Sequence, residues 1–108
     1  MTIYDYTTAG GKNLIKEYID NLPSAEKARI LDIRREINES GLAAISKLKT
    51  RQLRGKLYEI KVHQNRMMYV LIDSESIAFL NICKKQKRKA EKYEINKAIS
   101  RGIEEGLL

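Results

Sequence analysis

The chain is poor in the residues that most metal-dependent and nucleophilic enzymes rely on. It has one histidine, one cysteine, one proline, one phenylalanine and no tryptophan in 108 residues. A lone cysteine, Cys83, excludes an internal disulfide and fits a reducing compartment. His63 and Cys83 without clustered carboxylates exclude a zinc site of the usual kind. There is no GxGxxG and no glycine-rich loop ending in Lys-Ser or Lys-Thr, so the common nucleotide cradles are absent. No apolar run approaches the ~20 residues that span a bilayer. The segment MTIYDYTTAGG lacks the basic-then-apolar order of a secretory signal. These absences predict a cytoplasmic protein with a single domain over residues 1–108, a length that can bury one core.

Positive charge is what the chain has in excess, and it is unevenly placed. The net charge is +7. Residues 1–46 carry six basic and seven acidic side chains, whereas residues 47–108 carry fifteen and seven. A field concentrated in one half suits a polyanion or an acidic protein partner.

The pattern predicts an α+β domain in the order β–α–α–β–β–β–α: a small, curved, mainly antiparallel sheet, a helix hairpin packed on one face, and a C-terminal helix. Thr2–Tyr6 alternates weakly, as an edge strand does, and Gly10-Gly11 breaks it. Leu14, Ile15, Tyr18, Ile19 and Leu22 recur at helical spacing up to Pro23. Ser24 then stands where an N-cap belongs. Ile30, Ile33 and Ile37, with Leu31 beside them, form the apolar face of a second helix that Gly41 ends. Leu42–Arg54 is either a further helical turn or an irregular crossing.

Leu57–Lys89 reads as three adjacent strands followed by a burst of cations. Tyr58, Ile60 and Val62 alternate with Glu59, Lys61 and His63. Arg66 opens an apolar run, Met67–Ile72, expected to be a central strand buried on both faces. Ile77–Cys83 is the third strand, and Lys84, Lys85, Lys87, Arg88 and Lys89 follow at once. A last helix is predicted over Ala90–Leu108, with Tyr93, Ile95, Ala98, Ile99 and Ile103 as its apolar contacts.

Lysine, arginine, tyrosine and glutamate suffice for cleavage of RNA through its own 2′-hydroxyl. The substrate supplies the nucleophile. The protein holds the scissile phosphate, neutralises the transition state and moves protons, with no cofactor or metal. Arginine's planar fork binds phosphate oxygens bidentately. Lys61, Arg66 and the run after the third strand are the candidates for this work. Lys49, Arg54, Lys56, His63, Arg88 and Lys89 are candidates for a wider RNA-binding surface. Cys83 ends an apolar strand and reads as a small core residue.

Leu53–Arg101 resembles the core of the RelE/ParE toxin superfamily, and its HigB-like branch in particular, of type II toxin–antitoxin systems. The matching residues are Leu57-Tyr58-Glu59-Ile60-Lys61-Val62, Asn65-Arg66-Met67-Met68-Tyr69 and Ile82-Cys83-Lys84-Lys85-Gln86-Lys87, then a helix with Glu94, Ala98 and Arg101. The resemblance implies a ribosome-dependent mRNA interferase held inactive by a cognate antitoxin, itself DNA-binding. It implies catalytic roles for Arg66 on the phosphate, Lys61 in the cleft, Lys84, Lys85 and Lys87 in the basic turn, and Tyr93 as a C-terminal tyrosine. Lys61 stands where HigB-like members often carry Arg, and Asn65 where an aromatic is common. Two other readings fit the chain: a ParE-like toxin acting on a protein such as DNA gyrase, and a non-catalytic nucleic-acid-binding domain. In bland readings of single residues, Lys61 is solvated and Glu59 pairs with a neighbouring Lys or Arg.

Overall fold

A computed structural model describes residues 1–108. The elements are β1 (Thr2–Asp5), α1 (Leu14–Asp20), α2 (Ser24–Ser40), α3 (Leu42–Ile45), β2 (Thr50–Arg54), β3 (Leu57–Val62), β4 (Asn65–Asp73), β5 (Ser76–Lys84) and α4 (Arg88–Glu104). The strands form one sheet in the order β1-β5-β4-β3-β2. All pairs are antiparallel except β1, which lies parallel to β5 with Thr2 opposite Ser76. The expected α+β architecture is present, with one more strand and one more helical turn than the expected order. No helix is long and apolar enough to cross a membrane.

The helix hairpin covers one face of the sheet. Ile15 and Ile19 of α1 and Ile30, Ile33 and Ile37 of α2 pack with Ile60, Met67, Tyr69, Ile77, Phe79 and Ile82. Leu31 lies outside this stripe and is exposed. Asn13 caps α1 by accepting from the Lys16 amide. At α2, Pro23 rather than Ser24 takes the N-cap position, and no side chain caps the helix. Gly41 ends α2 with a φ of 58°, a conformation that glycine tolerates without a Cβ clash. Leu42–Ile45 forms the further helical turn, and Thr50–Arg54 is a strand rather than a loop.

The second face is covered by α4. Leu57, Met68, Val70, Leu80 and Cys83 meet Ala98, with Ile95 and Ile99 beside it. Tyr93 and Ile103, expected to be buried, are 64% and 60% exposed because they lie on the outer side of α4. The helix also ends at Glu104 rather than Leu108. β4 is buried on both faces only from Met67 to Val70, and Leu71 and Ile72 are exposed.

A partly buried polar pin joins hairpin and sheet. The Tyr18 hydroxyl donates to Asn65 Oδ1 at 2.7 Å, and Asn65 Nδ2 donates to Glu26 Oε1 at 2.8 Å. Burial pushes the Tyr18 hydroxyl up to about 12, and burial followed by the nearby Tyr58 does the same for Tyr69. Both groups therefore favour the protonated form in the folded state. The unfolded chain releases these protons first as pH rises, so stability should fall progressively from pH ~10 to ~12. Tyrosinate absorbance followed with increasing pH should show Tyr18 and Tyr69 ionising late, together with loss of folded signal. Uniform titration of all six tyrosines near pH ~10 with the fold intact would contradict this.

Candidate functional site

Beyond the N-terminal end of α4, the second face of the sheet opens into a charged cleft of about 140 Å³. Strand register builds it. On one face, Arg51 of β2 stands opposite Glu59 of β3, and Lys61 of β3 stands opposite Arg66 of β4. Arg66 in turn faces Cys83 of β5. Lys84, Lys85 and Gln86 close one side, and Glu91 in the first turn of α4 closes another.

Arg66 is held from within the chain. Its Nη1 donates to the carbonyls of His63 at 3.2 Å and Asn65 at 3.1 Å, at the tip of the β3–β4 hairpin. Its Nε lies 3.7 Å from Glu59 Oε2. No protein acceptor engages Nη2, which leaves that end for an anion. His63 turns the hairpin with a φ of 57°, rare for a non-glycine residue.

Glu59 is the deepest charge in the cleft, 1% exposed. Its Oε1 accepts from Arg51 Nη2 at 3.2 Å, while Oε2 is a buried side-chain oxygen with no hydrogen-bond partner. Arg51 Nη2 also donates to Glu91 Oε1, which links β2 to α4. The hydrogen bond to Glu91, before that to Glu59, raises the Arg51 pKa against the opposing effect of burial. Cys83 lines the cleft floor, but burial pushes its thiol up to about 12, so no thiolate is available near neutral pH.

The cleft brings together Lys61, Arg66, Lys84 and Lys85, four of the six residues expected to be catalytic. The Lys84 ammonium reaches across the rim to Glu26 at 3.3 Å. That contact, after the larger one from Asn65, lowers the Glu26 pKa. Lys87 takes the N-cap position of α4 and is exposed. Tyr93 stands off the cleft, with the Lys97 ammonium 5.0 Å from its ring centre.

Of the expected RNA-binding residues, Arg54 and Arg88 line an adjoining groove between β2 and α4 that shares Arg51 and Glu91 with the cleft. Lys49 is exposed, and its carbonyl accepts from the Lys61 amide at 2.9 Å. His63 is exposed at the hairpin tip and Lys89 on α4. Lys56 sits apart, in the β2–β3 turn at the opposite end of the sheet.

Arg51, Glu59 and Glu91 were not among the expected site residues. Glu59 carried one legible signal, its place in the same alternating set as Lys61. Arg51 and Glu91 acquire their place only through strand pairing and the docking of α4.

Two solved structures share this fold. RelE in the archaeal RelE–RelB complex from Pyrococcus horikoshii OT3 matches with a TM-score of 0.58 and 20% identity, over 82% of this chain and 100% of that chain. RelE in the RelB–RelE antitoxin–toxin complex from Methanococcus jannaschii matches with a TM-score of 0.58 and 18% identity, over 87% and 96%. No curated protein sequence matches. The family model described as phage derived protein Gp49-like (DUF891) matches residues 17–102, from α1 to the last turns of α4 and across the whole cleft. On that match the chain belongs to the Gp49-like family.

Proposed function

We propose that this protein is the toxin of a type II toxin–antitoxin pair, a cytoplasmic single-domain ribosome-dependent mRNA interferase of the RelE superfamily. The observation that carries this reading is the convergence of Arg51, Lys61, Arg66 and Lys85 on one cleft. The RelE-like fold supports it, since the two neighbours described above are RelE–RelB complexes, one of them described as an antitoxin–toxin complex. The three strand and turn motifs favour the HigB-like branch.

Arg66 offers its free Nη2 to a non-bridging oxygen of the scissile phosphate. The substrate 2′-oxygen, its proton passed to a base, attacks phosphorus. The bond to the 5′-oxygen breaks, and the leaving oxygen takes up a proton. The products are a 2′,3′-cyclic phosphate and a 5′-hydroxyl end, with no metal or cofactor. Lys61 and Lys85 neutralise charge that grows on the phosphate oxygens as the transition state forms. Lys84, Lys87 and Tyr93 serve the RNA chain on either side of the scissile bond. Arg54, Arg88, Lys89, Lys49, His63 and Lys56 act at longer range, through a field that draws RNA towards the sheet. A gyrase-directed toxin has no need of converging cations. A co-expressed antitoxin restrains the activity in the host.

Expression without a partner should arrest bacterial growth, and ribosome-bound message should acquire new 5′-hydroxyl ends. Growth arrest with intact message, or no arrest at all, would overturn the interferase reading.

A further inference from the structure

Arg51 Nη2 is shared by two carboxylates of different standing. Glu59 is buried in the sheet and fixed opposite Arg51 by strand register. Glu91 lies at the rim in the first turn of α4, with its side chain 33% exposed. It can turn outward into the adjoining groove, where Arg54, Arg88 and Lys92 would receive it. To a guanidinium, a carboxylate and a phosphodiester look alike. Each offers two oxygens that share one negative charge.

We propose that Glu91 is an internal stand-in for a substrate phosphate, and that a phosphodiester of single-stranded RNA displaces it from Arg51. The proposal rests on the nuclease reading of the cleft and adds to it a second phosphate subsite beside that of Arg66. Glu59 is the permanent anchor of Arg51, and Glu91 the exchangeable occupant. The Glu59–Arg51–Glu91 chain keeps the guanidinium in place without RNA. Substrate then meets a preset donor rather than a free surface arginine. The exchange replaces one negative charge on Arg51 by another, so the guanidinium is never left without an anion as substrate binds.

The test uses a short single-stranded 2′-O-methyl oligoribonucleotide, which binds as RNA does but has no nucleophile. Its dissociation constant is measured at one fixed salt concentration for wild type and four variants. Glu91→Gln should bind about threefold to tenfold more tightly than wild type, because the competitor is gone. Glu75→Gln makes the same change in net charge at the exposed β4–β5 turn, at the other end of the sheet, and should stay within about twofold. Arg51→Ala should weaken binding by about tenfold. In the Arg51→Ala background, Glu91→Gln should have no further effect.

Equal effects of Glu91→Gln and Glu75→Gln would overturn the proposal. So would a full effect of Glu91→Gln without Arg51. The expected pattern in a protein that cuts no ribosome-bound message would remove the nuclease reading and leave the phosphate subsite standing. Cleavage without the pattern would do the reverse, and failure of every form to bind the oligonucleotide would remove the subsite.

Discussion

On the interferase reading, Arg66→Ala will lower the rate of message cleavage by about 10²–10³-fold and lift growth arrest while the protein remains folded. Arg66 Nη1 is occupied by two hairpin carbonyls, and its Nη2 has no protein partner. Its donors are therefore aimed before substrate arrives, which lets them act without reorganisation as charge develops. Alanine removes them. The fold survives because Arg51 still donates to Glu59. Loss of the hairpin contacts should cost about 1–2 kcal/mol. Arg66→Lys should recover part of that stability but little of the rate, since an ammonium lacks the planar fork. Cleavage rates and thermal melts on the same preparations check both halves. A folded Arg66→Ala protein as active as the parent would remove Arg66 from the reaction.

Removing Arg51 and Arg66 together will destabilise the protein by more than the sum of the single changes. Each single variant leaves Glu59 one guanidinium. The double variant leaves a 1% exposed carboxylate with neither. Breaking a buried ion pair from one side costs about 3–5 kcal/mol, most of it from the charge left behind. At about 4–8 °C per kcal/mol for a chain of this size, the melting temperature should fall on the order of 15 °C or more. Adding Glu59→Gln should restore most of the loss, because the amide keeps the shape and removes the charge. Melting curves of the two single, one double and one triple variant give the coupling directly. Additive single effects, or no rescue by the amide, would mean that Glu59 finds another partner.

The parts legible in the sequence were those written as local periodicity. Ile30, Ile33 and Ile37 mark their face at helical spacing, and α2 buries all three. Lys61 and Arg66 sit near either end of a short turn, so hairpin geometry alone makes them neighbours. The strand Thr50–Arg54 was illegible because TRQLR has no alternation. It is an edge strand defined by its pairing with β3, and only Leu53 is partly buried. Once that strand is missed, the partnership of Arg51 with Glu59 is missed with it. Tyr93 and Glu91 show a second limit. Two residues apart on a helix they point roughly opposite ways, about 200° around the axis. Only the docked orientation of α4 decides which one meets the cleft, and it is Glu91.

The parallel pairing of β1 with β5 bears on the order in which the chain assembles. β1 is the first strand of the sheet to be synthesised, and its only neighbour is the last. The β3–β4–β5 meander needs only short loops to close, whereas Thr2 must wait for Ser76. Contacts so far apart in the chain are slow to form, because a long loop loses its freedom before any bond rewards it. During synthesis β1 and the hairpin helices therefore stand ready with their apolar side uncovered, until the meander arrives and the first strand docks along its edge. The edge of β5 stays open until β1 docks, and anything that pairs with it first keeps the chain from completing its sheet.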